Sequence, residues 1–494
     1  MSGKGVSGWW LTRIRLHEWG AFDDCEFPIP LGCGLHLGGD GGTGKRAILD
    51  AILWAMVGDG NFWFNVGVSL KDRRSLPKYA RCYLDAERKY LRDACITHVL
   101  LEFTHAGTGS VITIGSVAAC RHNVRTKSAF VIVDLPATAD LLMQRSESGW
   151  EHLTITALRK RAQEYCKQGV HFEMVRSAVE YRDLLSQRMG DLPSHYFGAL
   201  CHLMNRDCAG VDLDVLVREM LFGSTPVQLQ LCDDQIATFG NSGAGHEGVD
   251  CMLRDFLTEV FGCHDKIKST VEEANRAVLV IGFGPWRCRF AVSPVDGRRW
   301  PLMKDLFEAL GAWRRHQGDT RGTWRAFARK HREVLDRLLE ALAKDISELS
   351  GEEREQFAAL TIPSRHFVCE MQVRPEGSEW VNAACMIGWM RDEERQMLVQ
   401  AVLVAAMLWA YDNHPNRPRL VLIPTAFTKI PDVLASILKV MRELGLQPIV
   451  AAPVGTFEVE QVMDYTIRLY RDPDDPMRRR YIQKRRLQGE GEKR

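Results

Sequence analysis

Apolar and polar positions change period several times along the chain, and each change marks an element. Trp9 to Phe22 (WWLTRIRLHEWGAF) alternate as a half-buried strand does, and Cys25 to Pro30 continue in extended fashion before Leu31-Gly32-Cys33-Gly34 turns the chain. A short apolar run, Leu35-His36-Leu37, then gives way to glycines and to Ala47 to Met56, whose spacing is that of an amphipathic helix. Three strands are predicted over Ile96 to Phe103, Val111 to Val117 and Phe130 to Leu135. Helices are predicted over Glu173 to Met189 and Leu192 to Asn205. From Gly223 to about Lys266 no heptads are sustained, and Pro226 and the stretch Gly240-Asn241-Ser242-Gly243-Ala244-Gly245 read as a connector.

The glycines hold the chemistry. Gly39-Asp40-Gly41-Gly42-Thr43-Gly44-Lys45-Arg46 lies between a predicted strand and a predicted helix, the order in which backbone N–H groups and a helix N-terminus converge on a phosphate. Gly39, Gly41, Gly42, Thr43, Gly44, Lys45 and Arg46 are therefore the candidate nucleotide-binding residues. Lys45 stands where a P-loop lysine reaches the outer phosphates. Arg46 stands where that motif carries the Ser or Thr that holds magnesium. ATP is the ligand the loop suits, and magnesium lacks its expected hydroxyl. The plain alternative is a glycine-rich turn that only joins a strand to a helix.

Composition narrows little beyond this. At 494 residues, two to four domains are expected, and 46% hydrophobic with 26% charged residues is ordinary globular composition. A net charge of +1 confines any nucleic-acid surface to a local patch. No apolar stretch is long enough to span a bilayer, and Met1-Ser2-Gly3-Lys4-Gly5 lacks the apolar core of a signal peptide, which predicts a cytoplasmic protein. The 14 cysteines include no Cys-x-x-Cys pair, as suits reduced thiols. Cys201-His202, Cys208 and Cys263-His264 fit no metal-ligand spacing, so no metal site is expected.

WLTRIRLHEWGAF, GGDGGTGKRAILDAI, GDGNFWFN and RRSLPKYAR, in this order, resemble the N-terminal head of the SMC-like ATPases of Wadjet plasmid-defence systems (the JetC family) and their MukB and MksB condensin relatives. The resemblance implies an α/β fold: an ABC/SMC-type P-loop head assembled from N- and C-terminal halves, with a mixed sheet and flanking helices. It implies residues 1–225 as the N-terminal half, 226–267 as a short connector in place of the coiled coil, 268–472 as the C-terminal half and 473–494 as a basic tail. The arm is either naturally lacking or excised with a linker at 240–248. Leu213 to Phe222 resembles the segment that leads into that arm, and Val271 to Ala277 the helix that returns from it. Arg287 to Val292 and the Trp300 region look like strands, Thr323 to Leu349 like a long amphipathic helix, Ser364 to Pro375 like a strand and Met397 to Tyr411 like a buried helix. Leu444 to Pro453 resembles the last core strand with its switch loop, and Tyr465 to Tyr470 an edge strand.

The same resemblance exposes losses. At the signature, Arg391, Asp392 and Glu393 replace a serine and two glycines, while Glu394, Arg395 and Gln396 fit. After the apolar strand Leu420 to Ile423, Pro424 stands for the magnesium aspartate, Thr425 for the catalytic glutamate and Pro431 for the aspartate of the next loop. No catalytic residue is therefore assigned, and a pseudo-ATPase is expected. The competing reading is a slow ATPase completed by a partner subunit or by Asp432 and Asp50. The implied partners are a kleisin, its winged-helix companion or an intact SMC subunit, and duplex DNA. For DNA the candidate contacts are Arg478, Arg479, Arg480, Lys484, Arg485 and Arg486 of the tail, whose plainer reading is a solvated end. Arg73, Arg74, Lys78, Arg81, Arg88, Lys89 and Arg92 form a second basic stretch, which reads first as an exposed helix face.

Overall fold

The computed structural model describes residues 8–58, 75–84, 89–147, 149–190, 192, 196–197, 200, 246–280, 286–295, 301–317, 324–342, 350–351, 363–375, 378–383, 385, 416–423, 434, 438–439, 441–442, 445–453, 457–471 and 479–485. The chain divides into two compact units, Met1–Val211 with Val280–Pro285 and Trp389–Arg494, and Asp212–Leu279 with Trp286–Gly388.

The first unit begins with β1 (Trp9–Trp19) and β2 (Phe22–Pro28), an antiparallel hairpin turned through Gly20 at φ 57°. β3 (Leu35–Gly38) leads through the glycine loop into α1 (Lys45–Val57). After α2 (Leu76–Ala80), the short pair β4 (Tyr83–Leu84) and β5 (Lys89–Tyr90) precedes three long antiparallel strands, β6 (Ala94–His105), β7 (Val111–Arg121) and β8 (Val124–Val133). The hairpin β9 (Met143–Ser146) and β10 (Gly149–His152), α3 (Ile155–Lys167), β11 (Phe172–Val175) and α4 (Ala178–Arg188) follow. The expected helix over 173–189 therefore starts late, because Phe172 to Val175 pair with Val133 to Phe130 and close one end of a sheet ordered β11-β8-β7-β6-β1-β2.

The second unit carries a helix over His246–Val280, where the second half of the expected connector and the returning helix were placed, and against it Pro301–Gln317, Trp324–Lys330 and Arg332–Leu342 build a core of Leu253, Phe256, Leu257, Leu310, Phe327 and Leu338. The residues just after Trp300 are thus helical, and the long helix expected over 323–349 is interrupted at His331. β12 (Trp286–Pro294), β13 (Phe367–Pro375) and β14 (Val381–Asn382) form an antiparallel sheet of their own.

The remaining strands return to the first unit. β15 (Leu420–Ile423), β16 (Gln447–Ala451), β17 (Tyr465–Arg471) and β18 (Arg479–Arg485) join β3 in a sheet ordered β15-β16-β3-β17-β18. The first four strands of that order are parallel, and only β18 runs against its neighbour. β3 shows why such a short segment makes a strand. All four of its residues are buried, as in a central parallel strand covered on both faces. α1 is buried along most of its length and packs on β1, β6, β7 and β16, which is the environment an almost wholly apolar helix requires. Trp19 stacks on Trp54 of α1 at 5.1 Å and donates from Nε1 to the Ala47 carbonyl at 2.8 Å.

Two further expectations change. Tyr465 to Tyr470 is not an edge strand, since it lies between β3 and β18. The tail after Arg471 is also more than a solvated end, since Arg479–Arg485 pairs residue by residue with Tyr465–Arg471.

Candidate functional site

The parallel order places four chain ends on one edge of the core sheet, where ligands of open α/β sheets bind. The glycine loop follows β3, Ala452 and Pro453 follow β16, and Arg471 ends β17. Pro424 and Thr425 follow β15, and they lie outside the described residues, as do Arg391 to Gln396, Leu213 to Phe222, Pro431 and Asp432. Ala452 holds the edge together by donating its N–H to the Leu37 carbonyl at 3.1 Å.

The loop is shaped by its glycines. Gly39, Gly42 and Gly44 sit at φ 149°, 75° and 99°, which side chains disfavour. A Cβ on Gly39 would stand 2.5 Å from the Leu469 carbonyl, so β17 can approach only bare backbone there. Among the described residues nothing lies within 4 Å of such a Cβ on Gly41. Thr43 is buried and closes the turn, its hydroxyl donating to the Asp40 carbonyl at 2.9 Å. Gly44 is the N-cap of α1 and brings no side chain to cap it, nor does the first turn carry an acid. The opening N–H groups of α1 and its positive dipole end are thereby left facing the loop.

Lys45 is 8% exposed and folds back over the loop, its Nζ donating to the Gly39 carbonyl and, at 2.8 Å, to that of Asp40. Burial lowers its pKa, and the Asp40 carboxylate opposes that shift. Arg46 is turned the other way. Its Nε donates to Asp50 Oδ1 at 3.1 Å, one helical turn along α1, and Asp50 is 1% exposed. Behind the loop, His36 is wholly buried and pushed down to about 4 by that burial, with Nδ1 3.4 Å from the Thr466 hydroxyl.

Residues 11–68 match the family model described as the P-loop containing region of an AAA domain. The glycine loop is a P-loop. Solved structures similar to the chain include the SMC head bound to the C-winged helix domain of ScpA, at 12% identity and a TM-score of 0.46 over 96% of this chain and 98% of that one. Another is the Smc head domain with an extended coiled coil bound to the C-terminal domain of ScpA from Pyrococcus furiosus, at 12% identity and a TM-score of 0.41 over 97% and 96%. A third is the recombination mediator RecF with ATP, at 8% identity and a TM-score of 0.40 over 94% and 97%. Among curated proteins nothing matches.

All seven residues named from the motif lie together in or just after the P-loop. Two residues outside it were not foreseen. Gln447 is wholly buried in β16 and bonds β1 to the β3 approach: it accepts from Leu11 N at 2.8 Å and donates to the Leu11 and Cys33 carbonyls at 2.8 and 3.0 Å. Arg471 lies with Nη2 3.0 Å from the place of a Gly42 Cβ. Its only sequence signal was that it opens the basic tail. Among the described residues no group of three or more His, Cys, Asp or Glu is arranged to hold a metal ion, and no helix is long and apolar enough to cross a membrane.

Proposed function

We propose that this chain is a catalytically degenerate SMC-like head, a nucleotide-holding structural subunit of a bacterial condensin-like or plasmid-defence DNA complex. The observation that carries the reading is at the start of α1. The P-loop is formed around Lys45, yet the next residue is an arginine committed to Asp50, where magnesium needs a hydroxyl. Asp50, one candidate for a replacement acid, is buried in that ion pair. The sequence adds Pro424 and Thr425 where the resemblance wants two acids. Backbone N–H groups and Lys45 suffice to hold phosphates; turning over water at the outer phosphate needs a metal and a base. The partners proposed are those of such complexes: a kleisin, its winged-helix companion or an intact SMC subunit, with duplex DNA reached through the basic tail.

Calorimetric titration of ATP with and without magnesium, beside a hydrolysis assay, tests this. ATP is expected to bind equally well in EDTA, Lys45→Ala to abolish binding, and hydrolysis to stay at background, since a missing general base alone costs about 10² to 10⁴ in rate. Ordinary ATP turnover that disappears in Lys45→Ala would refute the degenerate reading.

A further inference from the structure

The end of β17 brings to the P-loop a cationic residue that the motif does not contain. Arg471 is exposed at the end of β17, and its guanidinium rests against the bare Cα of Gly42, Nη2 being 3.0 Å and Cζ 4.0 Å from where a Cβ would stand. The register sets Arg479 directly opposite Arg471, and Arg480 opposite Tyr470. The loop beside Arg471 offers what an anion uses: uncapped N–H groups at the start of α1, and Lys45, whose bonds to the Gly39 and Asp40 carbonyls can be exchanged for bonds to phosphate oxygens.

We propose that Arg471 is the second cation of the P-loop site, and that the site takes the polyphosphate of a nucleotide with arginine charge in place of a metal ion. The inference rests on the nucleotide-binding reading above. A guanidinium is always charged and presents a planar fork of donors to two phosphate oxygens, so it neutralises a phosphate as magnesium would and activates no water. Its position at Gly42, on the open side of the loop, makes it a determinant of how many phosphates are held. A triphosphate engages both cations, whereas a monophosphate is held by the loop alone.

The test is calorimetric binding of ATP, AMP and inorganic tripolyphosphate to the full chain in EDTA. Arg471→Gln is expected to weaken ATP and tripolyphosphate by about ten- to a hundred-fold, the usual effect of a charge-assisted hydrogen bond, and to leave AMP nearly unchanged. Arg471→Lys should recover part of the loss, since it restores charge without the fork. The unliganded melting temperature of Arg471→Gln should match that of the parent, because Arg471 is exposed; a clear fall would mean that Arg471 braces the loop and would overturn the proposal. Unchanged ATP affinity in Arg471→Gln, with binding lost in Lys45→Ala, overturns the role of Arg471 and leaves nucleotide binding standing. No ATP binding by the unaltered chain, with or without magnesium, overturns both. Loss of duplex-DNA binding in Arg471→Gln with ATP affinity intact assigns the ribbon to nucleic acid and equally overturns it.

Discussion

Single residues in this protein are placed by what the backbone around them lacks. One amide, Gln447, reaches from β16 with both an acceptor and a donor and bonds the backbone of Leu11 and Cys33. Gln447→Leu keeps the volume and removes these bonds, taking the amide away from the buried N–H and carbonyl of Leu11. Chemical denaturation should show a loss of about 2–5 kcal/mol, and a change within error would mean that these groups find other partners. A second group of residues answers to pH. His17, His98 and His152 pack ring to ring, with centroids 4.9–5.8 Å apart. Burial lowers all three, His17 and His152 to about 4, with Arg15 and Arg92 adding to the effect on His17 and Asp23 opposing it. Each folded pKa lies below the unfolded value of 6.5, so the neutral rings contribute full stability above about pH 6.5 and lose it as pH falls toward 4. Thermal melts should be flat from pH 8 to about 6.5 and then decline. Among the described residues neither ring nitrogen of His98 has a hydrogen-bond partner, so His98→Leu should hold the melting point at pH 7.5 and shallow the acid decline. An unchanged acid slope would remove the cluster from the account.

At the scale of elements, β18 carries the main structural surprise. Without it, β17 would present a row of unpaired N–H and C=O groups, with Ile467 and Leu469 beside them. Ending the chain at residue 474 should therefore produce concentration-dependent association, visible as light scattering, in a protein whose remaining sequence is unaltered; a monomeric, equally stable product would show the ribbon to be dispensable. The elements also show what a sequence can disclose. Leu35–Gly38, the loop and Lys45–Val57 were legible because a buried strand, glycines and an apolar helix in direct succession are local signals. Of the long strands of 94–133, Ile96 to Phe103, Val111 to Val117 and Phe130 to Val133 were legible, whereas the mostly polar start of β8, Val124 to Ala129, was not. β18 was not, since seven residues with four Lys or Arg resemble a solvated tail until a partner strand is known. The strand at 172–175 was hidden for the same reason, its conformation being set by pairing with Val133 to Phe130. Arg471 was beyond reach because its nearness to Gly42 depends on β17 pairing with β3 across more than 400 residues of sequence.

At the scale of the whole molecule, β3 takes one neighbour from residues 447–451 and the other from 465–471, and β1 meets Arg417 and Arg419 through backbone bonds at 3.3 and 2.9 Å. Residues 1–225 alone should consequently fail to give a soluble, cooperatively unfolding product, and co-expression with 268–494 should restore some; a well-folded 1–225 fragment would contradict the interleaved core. This interleaving also sets a timetable. At about 5–20 residues per second of synthesis, roughly 20–80 s pass between the emergence of Leu35 and that of Gln447. Throughout that interval β3 has neither flank, and the P-loop has no frame to hold its glycines in the left-handed region. Until residues 447–471 have been made, nascent chains of this protein therefore lack the frame on which the proposed nucleotide site depends.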